Sequence, residues 1–276
     1  MSNVRVLFIG EIVGKCGVFT VKHLLRKIKE EQKIDFVIAN GDGATGGFGI
    51  GKSHAVYLHK LGINVITGGE CTYYKRDMVE HIVKAPYILR PANYPHGNPG
   101  RGFRVYSAGE MKIGVISLLG QAGFDRIHLT NPFLCAQPII DKLKEETNIV
   151  IIDFHASTTS EKYTMFYHLA GKVSAVIGTH AKALTGDADI LNNKTAVICD
   201  AGRTGNSMSV GGLDSEIELR KFLTQIPEYS NVVCEHLELQ GVVMEIDDAG
   251  NAVSITSIKQ PCEEVYHERS GNNYQN

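Results

Sequence analysis

Residues 149–162 read I-V-I-I-D-F-H-A-S-T-T-S-E-K, and this stretch decides how the rest of the chain is interpreted. Its first four residues are apolar and β-branched, and the run is too short for a core helix, so it predicts an interior strand. Asp153 and His155 follow directly. Because open α/β sheets bind ligands at the carboxyl ends of their strands, we expect a site around His155. We interpret the hydroxyl residues 157–160 as the cap of the next helix, with Glu161 in its first turn.

The same order of apolar run, small or polar turn and ionisable side chain recurs along the chain. We predict further strands at residues 4–9, 36–39, 63–67, 113–118, 173–177 and 196–199, a hairpin at 241–246 and 253–258, and helices at 20–31 and 77–83. Six predicted strands end at an ionisable residue, namely Glu11, Asp42, Glu70, His155, His180 and Asp200. If these strands share a sheet, their carboxyl ends lie at one edge and the six side chains converge.

All six residues are of types that bind metal ions. We expect Asp200 to order a neighbouring histidine instead of binding an ion itself. The other five predict a metal site of two histidines and two or three carboxylates: Glu11, Asp42, Glu70, His155 and His180. The alternative is that the acids cap helices and the histidines are satisfied core groups. Any one of these residues alone favours that alternative, whereas five in phase with the strands favour a site.

Composition limits what this site can belong to. With 276 residues and 43% hydrophobic content, the chain can bury a large core, and we predict a single domain over residues 1–262 with a polar tail at 263–276. A net charge of -2 argues against bulk binding of nucleic acid or membrane surfaces. We find no apolar run long enough to span a membrane and no signal peptide, which predicts a cytoplasmic protein. The six cysteines lack C-x-x-C spacing, and we expect reduced thiols.

Residues 46–53, G-G-F-G-I-G-K-S, match the spelling of a nucleotide-binding P-loop. A true P-loop follows its strand at once, whereas residues 40–45 separate this string from the predicted strand at 36–39. We therefore interpret residues 46–53 as a flexible loop at the rim of the site that leads into a helix.

The chain resembles the YmdB-type bacterial metallophosphoesterases, a branch of the calcineurin-like phosphoesterase superfamily. The resemblance covers about residues 4–258 and rests on the strings L-F-I-G-E-I-V-G, N-G-D-G-A, I-T-G-G-E-C-T, L-R-P-A-N-Y-P, D-F-H-A-S-T-T-S-E-K, G-T-H-A-K and C-D-A-G-R-T-G. It implies an α/β fold, a four-layer α/β/β/α sandwich, with two metal ions at the strand ends of family members. It also implies cyclic-nucleotide phosphodiester hydrolysis among their activities, and a homo-oligomer.

The site departs from the family pattern. Against that pattern, Glu11 replaces Asp, Asp42 replaces Glu, Gly43 and Glu70 replace Asn ligands, and Cys71 and Lys182 replace histidines. His155 and His180 are unchanged. The resemblance would place Glu11, Asp42 and Lys182 around one ion, and a protonated lysine cannot ligate. Asp42, Glu70, His155 and His180 remain for the other ion. We predict one well-held divalent ion, Zn, Fe or Mn, and no complete second site, with the Lys182 ammonium near the missing cation.

The remaining assignments concern side chains next to these ligands. Cys71 and Lys182 are the catalytic candidates, because they stand where the family has histidines. A thiol near its reference pKa of about 8.5 is a poor substitute for an imidazole acid. We assign Asn40 and Thr179 to substrate contact and Asp153 to the support of the ligands. We interpret Phe124 as a core residue, with a wall of a base pocket as the alternative.

Two functions follow from these residues. The first is a metal-dependent phosphoesterase acting on a phosphate-containing small molecule, in which Lys182 stabilises the developing charge. The second is a catalytically degenerate family member that keeps the fold as a binding or regulatory module. The retained His155 and His180 favour the first, and the replacement of the family histidines at Cys71 and Lys182 favours the second.

Overall fold

The computed structural model describes residues 3–124, 127 and 129–267 of the chain. The helices are α1 (Gly14–Glu31), α2 (Lys52–Lys60), α3 (Arg76–His81), α4 (Pro132–Lys144), α5 (Thr159–Leu169) and α6 (Ser215–Thr224). The strands are β1 (Asn3–Ile9), β2 (Glu11–Ile12), β3 (Phe36–Asn40), β4 (Val65–Thr67), β5 (Ile88–Leu89), β6 (Phe103–Ala108), β7 (Met111–Leu119), β8 (Ile149–His155), β9 (Ala175–Thr179), β10 (Asp189–Leu191), β11 (Thr195–Ile198), β12 (Arg203–Asn206), β13 (Leu237–Asp247) and β14 (Ala252–Pro261).

These strands form two sheets. The first has the order β2-β12-β13-β1-β3-β4-β5, with β14 paired to β13, and the second has the order β10-β11-β9-β8-β7-β6. Strands β1, β3, β4 and β5 run parallel, as do β7, β8, β9 and β11. The predicted site residues therefore follow strands of two sheets and do not share a single one.

Four layers bury three apolar cores. Phe8 and Phe36 of the first sheet and Ile151 and Ile177 of the second belong to the central core between the sheets. Helices α1, α2 and α3 cover the outer face of the first sheet, and α4 and α5 cover that of the second. Burying one such large side chain contributes about 1.5–3 kcal/mol. The predicted four-layer α/β/β/α sandwich is confirmed.

Local sequence signals set the start of the helices near the strand ends. The Thr158 hydroxyl accepts a hydrogen bond from the backbone N–H of Glu161, so α5 begins directly after the turn that follows His155. The predicted cap is therefore present. Residues 46–53 turn between β3 and α2, and α2 begins at Lys52, as expected for a loop that leads into a helix.

One expectation about the cysteines is wrong. Cys16 on α1 and Cys234 form a disulfide, with their Cα atoms 5.1 Å apart. The two residues are separated by 218 positions, so no local spacing in the sequence indicated the pair. Cys71, Cys135, Cys199 and Cys262 are free.

Two further predictions concern membrane-spanning segments and the polar tail. Within the described part of the chain, no helix has the length and apolar character needed to cross a membrane. The predicted polar tail begins at residue 263, and residues 268–276 of it lie outside the described residues.

Candidate active site

Four predicted ligands meet where the strands of the two sheets end. His155 Nε2 lies 2.6 Å from Glu70 Oε2 and 3.8 Å from Asp42 Oδ2. His180 Nδ1 lies 3.3 Å from Glu70 Oε1 and 3.2 Å from His155 Nε2. Asp42 and Glu70 come from loops of the first sheet, whereas His155 and His180 come from the second. The site is thus formed between the sheets.

A glycine allows the two loops of the first sheet to approach His155. Asp42 accepts hydrogen bonds from the backbone N–H groups of Gly69, at 2.6 Å, and Cys71, at 2.9 Å. A Cβ atom at position 69 would lie 2.5 Å from His155 Nε2 and 2.8 Å from Asp42 Oδ2. Any side chain larger than hydrogen at Gly69 would therefore displace the ligands.

A buried polar network orients the His155 ring. Thr179 Oγ1 lies 2.9 Å from His155 Nδ1 and donates its only hydrogen to Asp153 Oδ1, at 2.7 Å. Because that hydrogen is used, Thr179 accepts from His155, which assigns the ring proton to Nδ1 and leaves the Nε2 lone pair facing Glu70 in the neutral form. Asp153 Oδ2 accepts from Asn40 Nδ2, at 2.9 Å, and from the Thr67 hydroxyl.

This network corrects the expected role of two residues. Asn40 and Thr179 are both 0% exposed and lie on the far side of His155 from Glu70, so they hold the ring and do not face a substrate. Asp153 is also fully buried and accepts the hydrogen bond of Thr179 beneath the His155 ring. The sequence could not separate these roles, because a polar residue at a strand end is compatible with either.

Glu11 and Lys182 form a separate pair beside the four ligands. Lys182 Nζ lies 3.1 Å from Glu11 Oε1, and the two side chains are 20% and 3% exposed. The other carboxylate oxygen of Glu11 is buried and has no hydrogen-bond partner among the described residues. Of the five predicted ligands, only Glu11 forms a salt bridge with the Lys182 ammonium group.

Asp200 holds the loop that carries His180 and Lys182. Its Oδ2 atom accepts from the Ala181 N–H, at 2.8 Å, and from Lys162 Nζ, at 3.0 Å. His180 and Lys182 have φ angles of 94° and 58°, which lie in the left-handed region that residues other than glycine rarely adopt. Asp200 therefore fixes the peptide between them. The Asp200 carboxylate contacts Ala181, Gly202 and Lys162, so it acts on the neighbouring His180 through the backbone.

The charges of the ligands shift their protonation. Burial opposes the charged form of His155, but Glu70, Asp42 and Glu11 outweigh it and raise the pKa of His155 to about 10. Burial and the neighbouring Glu70 raise the pKa of Asp42 to about 7. Burial also disfavours the Glu70 carboxylate, but its contacts with His155 and His180 lower its pKa below the ordinary value. Without an ion, a protonated His155 thus balances the carboxylates.

The catalytic candidate Cys71 has an environment that suppresses its acidity. Burial, followed by the charges of Asp42 and Glu70, raises the pKa of the Cys71 thiol well above its ordinary value. The expectation of a thiol near its reference pKa is therefore corrected, and the group is a weaker acid than predicted. Phe124 also differs from its assignment to the core, because its ring centroid lies 5.0 Å from that of His180, at the site.

The residues present fit a divalent ion. Glu70, His155 and His180 each offer a ligand atom within 4.8 Å of the others, and Asp42, Glu70 and Cys71 form a second such group. Glu70 Oε2 is buried and lies 2.6 Å from His155 Nε2. Two imidazole nitrogens facing a carboxylate are a donor set that suits Zn, Fe or Mn.

Several residues with a place in the site were not assigned a role from the sequence. Thr67 donates to Asp153, Gly69 allows the close approach of the loops, and Lys162 is buried against Asp200. Arg203 donates from Nη1 to the Lys182 carbonyl, at 2.7 Å. Lys162 and Arg203 lie in the strings D-F-H-A-S-T-T-S-E-K and C-D-A-G-R-T-G. The motifs that carry the family resemblance therefore already contained these two residues.

Known proteins resemble this chain along most of its length. A family model described as YmdB-like protein matches residues 7–258. The 2',3'-cyclic-nucleotide 2'-phosphodiesterase of Bacillus subtilis is 37% identical over 244 residues, covering 88% of this chain and 92% of that protein. A crystal structure of a Mycoplasma pneumoniae phosphatase has a TM-score of 0.89 and 30% identity, covering 95% of this chain and 94% of that one.

Further structures share the fold. A hypothetical protein from Thermus thermophilus has a TM-score of 0.85 and 30% identity, covering 94% of this chain and 99% of that one. A putative 5'-nucleotidase from Staphylococcus aureus has a TM-score of 0.61 and 15% identity, and the match covers 99% of this chain and 56% of that one. At this identity, the similarity shows only that the two share a fold.

Proposed function

This chain belongs to the YmdB-like family, and we propose that it is a metal-dependent phosphodiesterase with a single-ion site. The observation that carries the proposal is the cluster of Glu70, His155 and His180, with the buried Asp42 beside it. We take cyclic nucleotides as the first substrates to test, because a curated relative is named as a 2',3'-cyclic-nucleotide 2'-phosphodiesterase.

Four residues would hold the ion: Asp42, Glu70, His155 and His180. When bound there, a divalent ion supplies a Lewis acid for the phosphoryl group and a more acidic water. The hydrogen bond from His155 Nδ1 to Thr179 supports the proposal, since it points the free Nε2 lone pair at the cluster. The ion must displace the proton that His155 carries in the metal-free protein.

Lys182 is the residue that would meet the substrate anion. Its side chain is 20% exposed, and its ammonium nitrogen lies 3.1 Å from Glu11, which holds it at the edge of the cluster. In this position it would stabilise negative charge that develops on the phosphoryl oxygens. A second ion is not part of the proposal, because the ammonium group cannot ligate and repels a cation.

Cys71 limits the substrates that could be cleaved quickly. Burial and the nearby carboxylates raise the pKa of its thiol, so it gives up a proton less readily than an imidazolium would. We therefore expect a phosphodiester with an acidic leaving group, such as a p-nitrophenyl ester, to be cleaved faster than a cyclic nucleotide.

The alternative function is a binding or regulatory module without turnover. The specific observation in its favour is that Cys71 and Lys182 occupy positions where the family has histidines, one of them now a weak acid and the other a cation. This form of the protein would still bind an ion or a phosphate-containing molecule but would release it unchanged.

Metal analysis with an activity assay decides between the two. Protein purified without added ion is analysed by inductively coupled plasma mass spectrometry, and bis-p-nitrophenyl phosphate hydrolysis is followed with Mn, Fe and Zn. We expect one ion per chain and turnover that falls at least 100-fold in His155→Ala. The matched control is His23→Ala on the outer helix α1, which should behave as the wild type. A bound ion without turnover of this ester or of cyclic nucleotides would support the binding module.

Other sequence expectations stay predictions. These are the single domain over residues 1–262, the cytoplasmic location and the homo-oligomer. Light scattering coupled to size-exclusion chromatography measures the oligomeric state directly.

A further inference from the structure

The two sheets are joined at one edge. Leu89, the last residue of β5, forms a bridge with Arg101, and the Arg90 N–H donates to the Arg101 carbonyl at 3.0 Å. A cavity of about 440 Å³ opens at this junction, between the edge strand β6 and the C-terminal end of α4. Its described lining shares no residue with the candidate active site.

The lining of this edge cavity is strongly cationic. Four basic side chains line it, Arg90, Arg101, Arg104 and Lys142, against the single carboxylate of Glu146. Among the ion pairs of the described residues, none involves any of these four basic groups. The positive charge is a local feature, because the whole chain has a net charge of -2. A concave surface with one sign of charge attracts ligands of the opposite sign.

Arg90 gives the cavity a buried cation that lacks a full set of acceptors. The residue is only 7% exposed, and its Nη1 donates to the Pro91 carbonyl at 2.8 Å. Its Nε atom is buried and has no hydrogen-bond partner in the part of the chain that the structure describes. A buried guanidinium with an unsatisfied donor and no paired carboxylate is costly, and an anion in the cavity would supply the opposite charge. Arg90 belongs to the string L-R-P-A-N-Y-P, which the proposed metal site does not use.

The backbone of the cavity wall is fixed by close packing. A Cβ atom at Gly102 would overlap Ala92, so the segment between Arg101 and Phe103 lies directly against the loop that follows Arg90. Arg104 then lies on β6, which is paired with β7. Because Arg101 and Arg104 project from a fixed backbone, the cationic groups are partly preorganised for a ligand.

We propose that this edge cavity binds a small anion with at least two phosphate groups, such as pyrophosphate or a nucleoside diphosphate. Guanidinium groups present paired donors that match phosphate oxygens, and four basic side chains suit more than one phosphate. Lys142 Nζ lies 5.7 Å from the centroid of the Phe103 ring, so an aromatic face also borders the cationic groups. The proposal is independent of catalysis at the metal cluster.

Isothermal titration of pyrophosphate into the metal-free protein, with EDTA present, tests the proposal. We expect the Kd of the double variant R101Q/R104Q to be at least tenfold weaker than that of the wild type. The variant R26Q/K27Q removes the same charge from the exposed face of α1 and should bind as the wild type does. An equal Kd for R101Q/R104Q and the wild type would overturn the proposal, and so would a wild type that does not bind.

Two further measurements keep the outcome interpretable. Circular dichroism checks that R101Q/R104Q is folded; if it is not, the single variant R104Q, exposed on the edge strand, takes its place with R26Q as control. Titrations with ADP and with a single-stranded oligonucleotide compare ligand sources. Binding of the oligonucleotide, lost in R101Q/R104Q, without binding of pyrophosphate would assign the cavity to nucleic acid and contradict the proposal.

Discussion

The ammonium nitrogen of Lys182 lies 3.1 Å from a carboxylate oxygen of Glu11, at the edge of a cluster that contains two further carboxylates and two imidazoles. Glu11 is almost completely buried, and burial of its charge without a counterion would be costly. The lysine therefore supplies a positive charge to this side of the cluster without a metal ion.

Replacing this cation by a ligand should change the metal content. In Lys182→His we expect two divalent ions per chain instead of one, because a neutral imidazole can join Glu11 and Asp42 as a third ligand. Mass spectrometric metal analysis after dialysis against Mn measures the ratio. The exposed Lys172→His is the control and should keep one ion. A ratio of one in both variants would show that Lys182 does not exclude the second ion.

The metal-free protein should become less stable as the pH rises from about 6.5 to about 10. The pKa of His155 is about 10 in the folded chain, against about 6.5 when unfolded, so its contribution is complete below the lower value and is lost through the upper one. Asp42 acts in the same direction, because its folded pKa of about 7 is also raised. Urea unfolding at several pH values, with EDTA present, measures this slope.

His155→Gln supplies the comparison for the pH experiment. Without a titrating ring at this position, the decrease in the free energy of unfolding between about pH 7.5 and 10 should be much smaller. A wild type and a variant with the same slope in that range would show that the His155 proton does not stabilise the fold.

Breaking the buried pair of Lys162 and Asp200 should destabilise the protein by about 3–5 kcal/mol, because one charge is left buried without its partner. Lys162→Met is the change, and urea denaturation is the measurement. The exposed pair of Arg220 and Glu228 offers a control, since solvent screens this pair and Arg220→Met should change the free energy of unfolding much less. Similar losses in the two variants would contradict the prediction.

The disulfide of Cys16 and Cys234 predicts a thiol count. Titration with Ellman's reagent in denaturant should find four free thiols per chain before reduction, and all six cysteines after it. Cys16→Ser with Cys234→Ser should lower the free energy of unfolding by about 2–5 kcal/mol, whereas Cys135→Ser should have little effect. Six thiols before reduction would show that the pair is not bonded.

The meeting of Asp42, His155 and His180 could be predicted from the sequence. Each follows an apolar run, and parallel strands place their carboxyl ends at one edge. The prediction that these strands divide between two sheets came from the family resemblance. Apolar runs alone do not determine which strand pairs with which.

Burial of polar groups could not be predicted in this way. Asn40 and Thr179 were assigned to substrate contact, yet both are fully buried, because strands β3 and β9 carry them against Asp153 from different sheets. Only the packing of one sheet on the other decides this. Helix α4 was missed although Asn131 caps it and Pro132 begins it, so a local signal was present there.

The position of β13 has a consequence for synthesis of the protein. This strand, which begins at Leu237, pairs along the whole of β1, so β1 gains this neighbour only after the residues between the two strands have been translated. Until then a nascent chain on the ribosome carries β1 with one side open, and such an edge is a template for aggregation. Pairing of β1 on this side is therefore completed only once β13 has emerged from the exit tunnel.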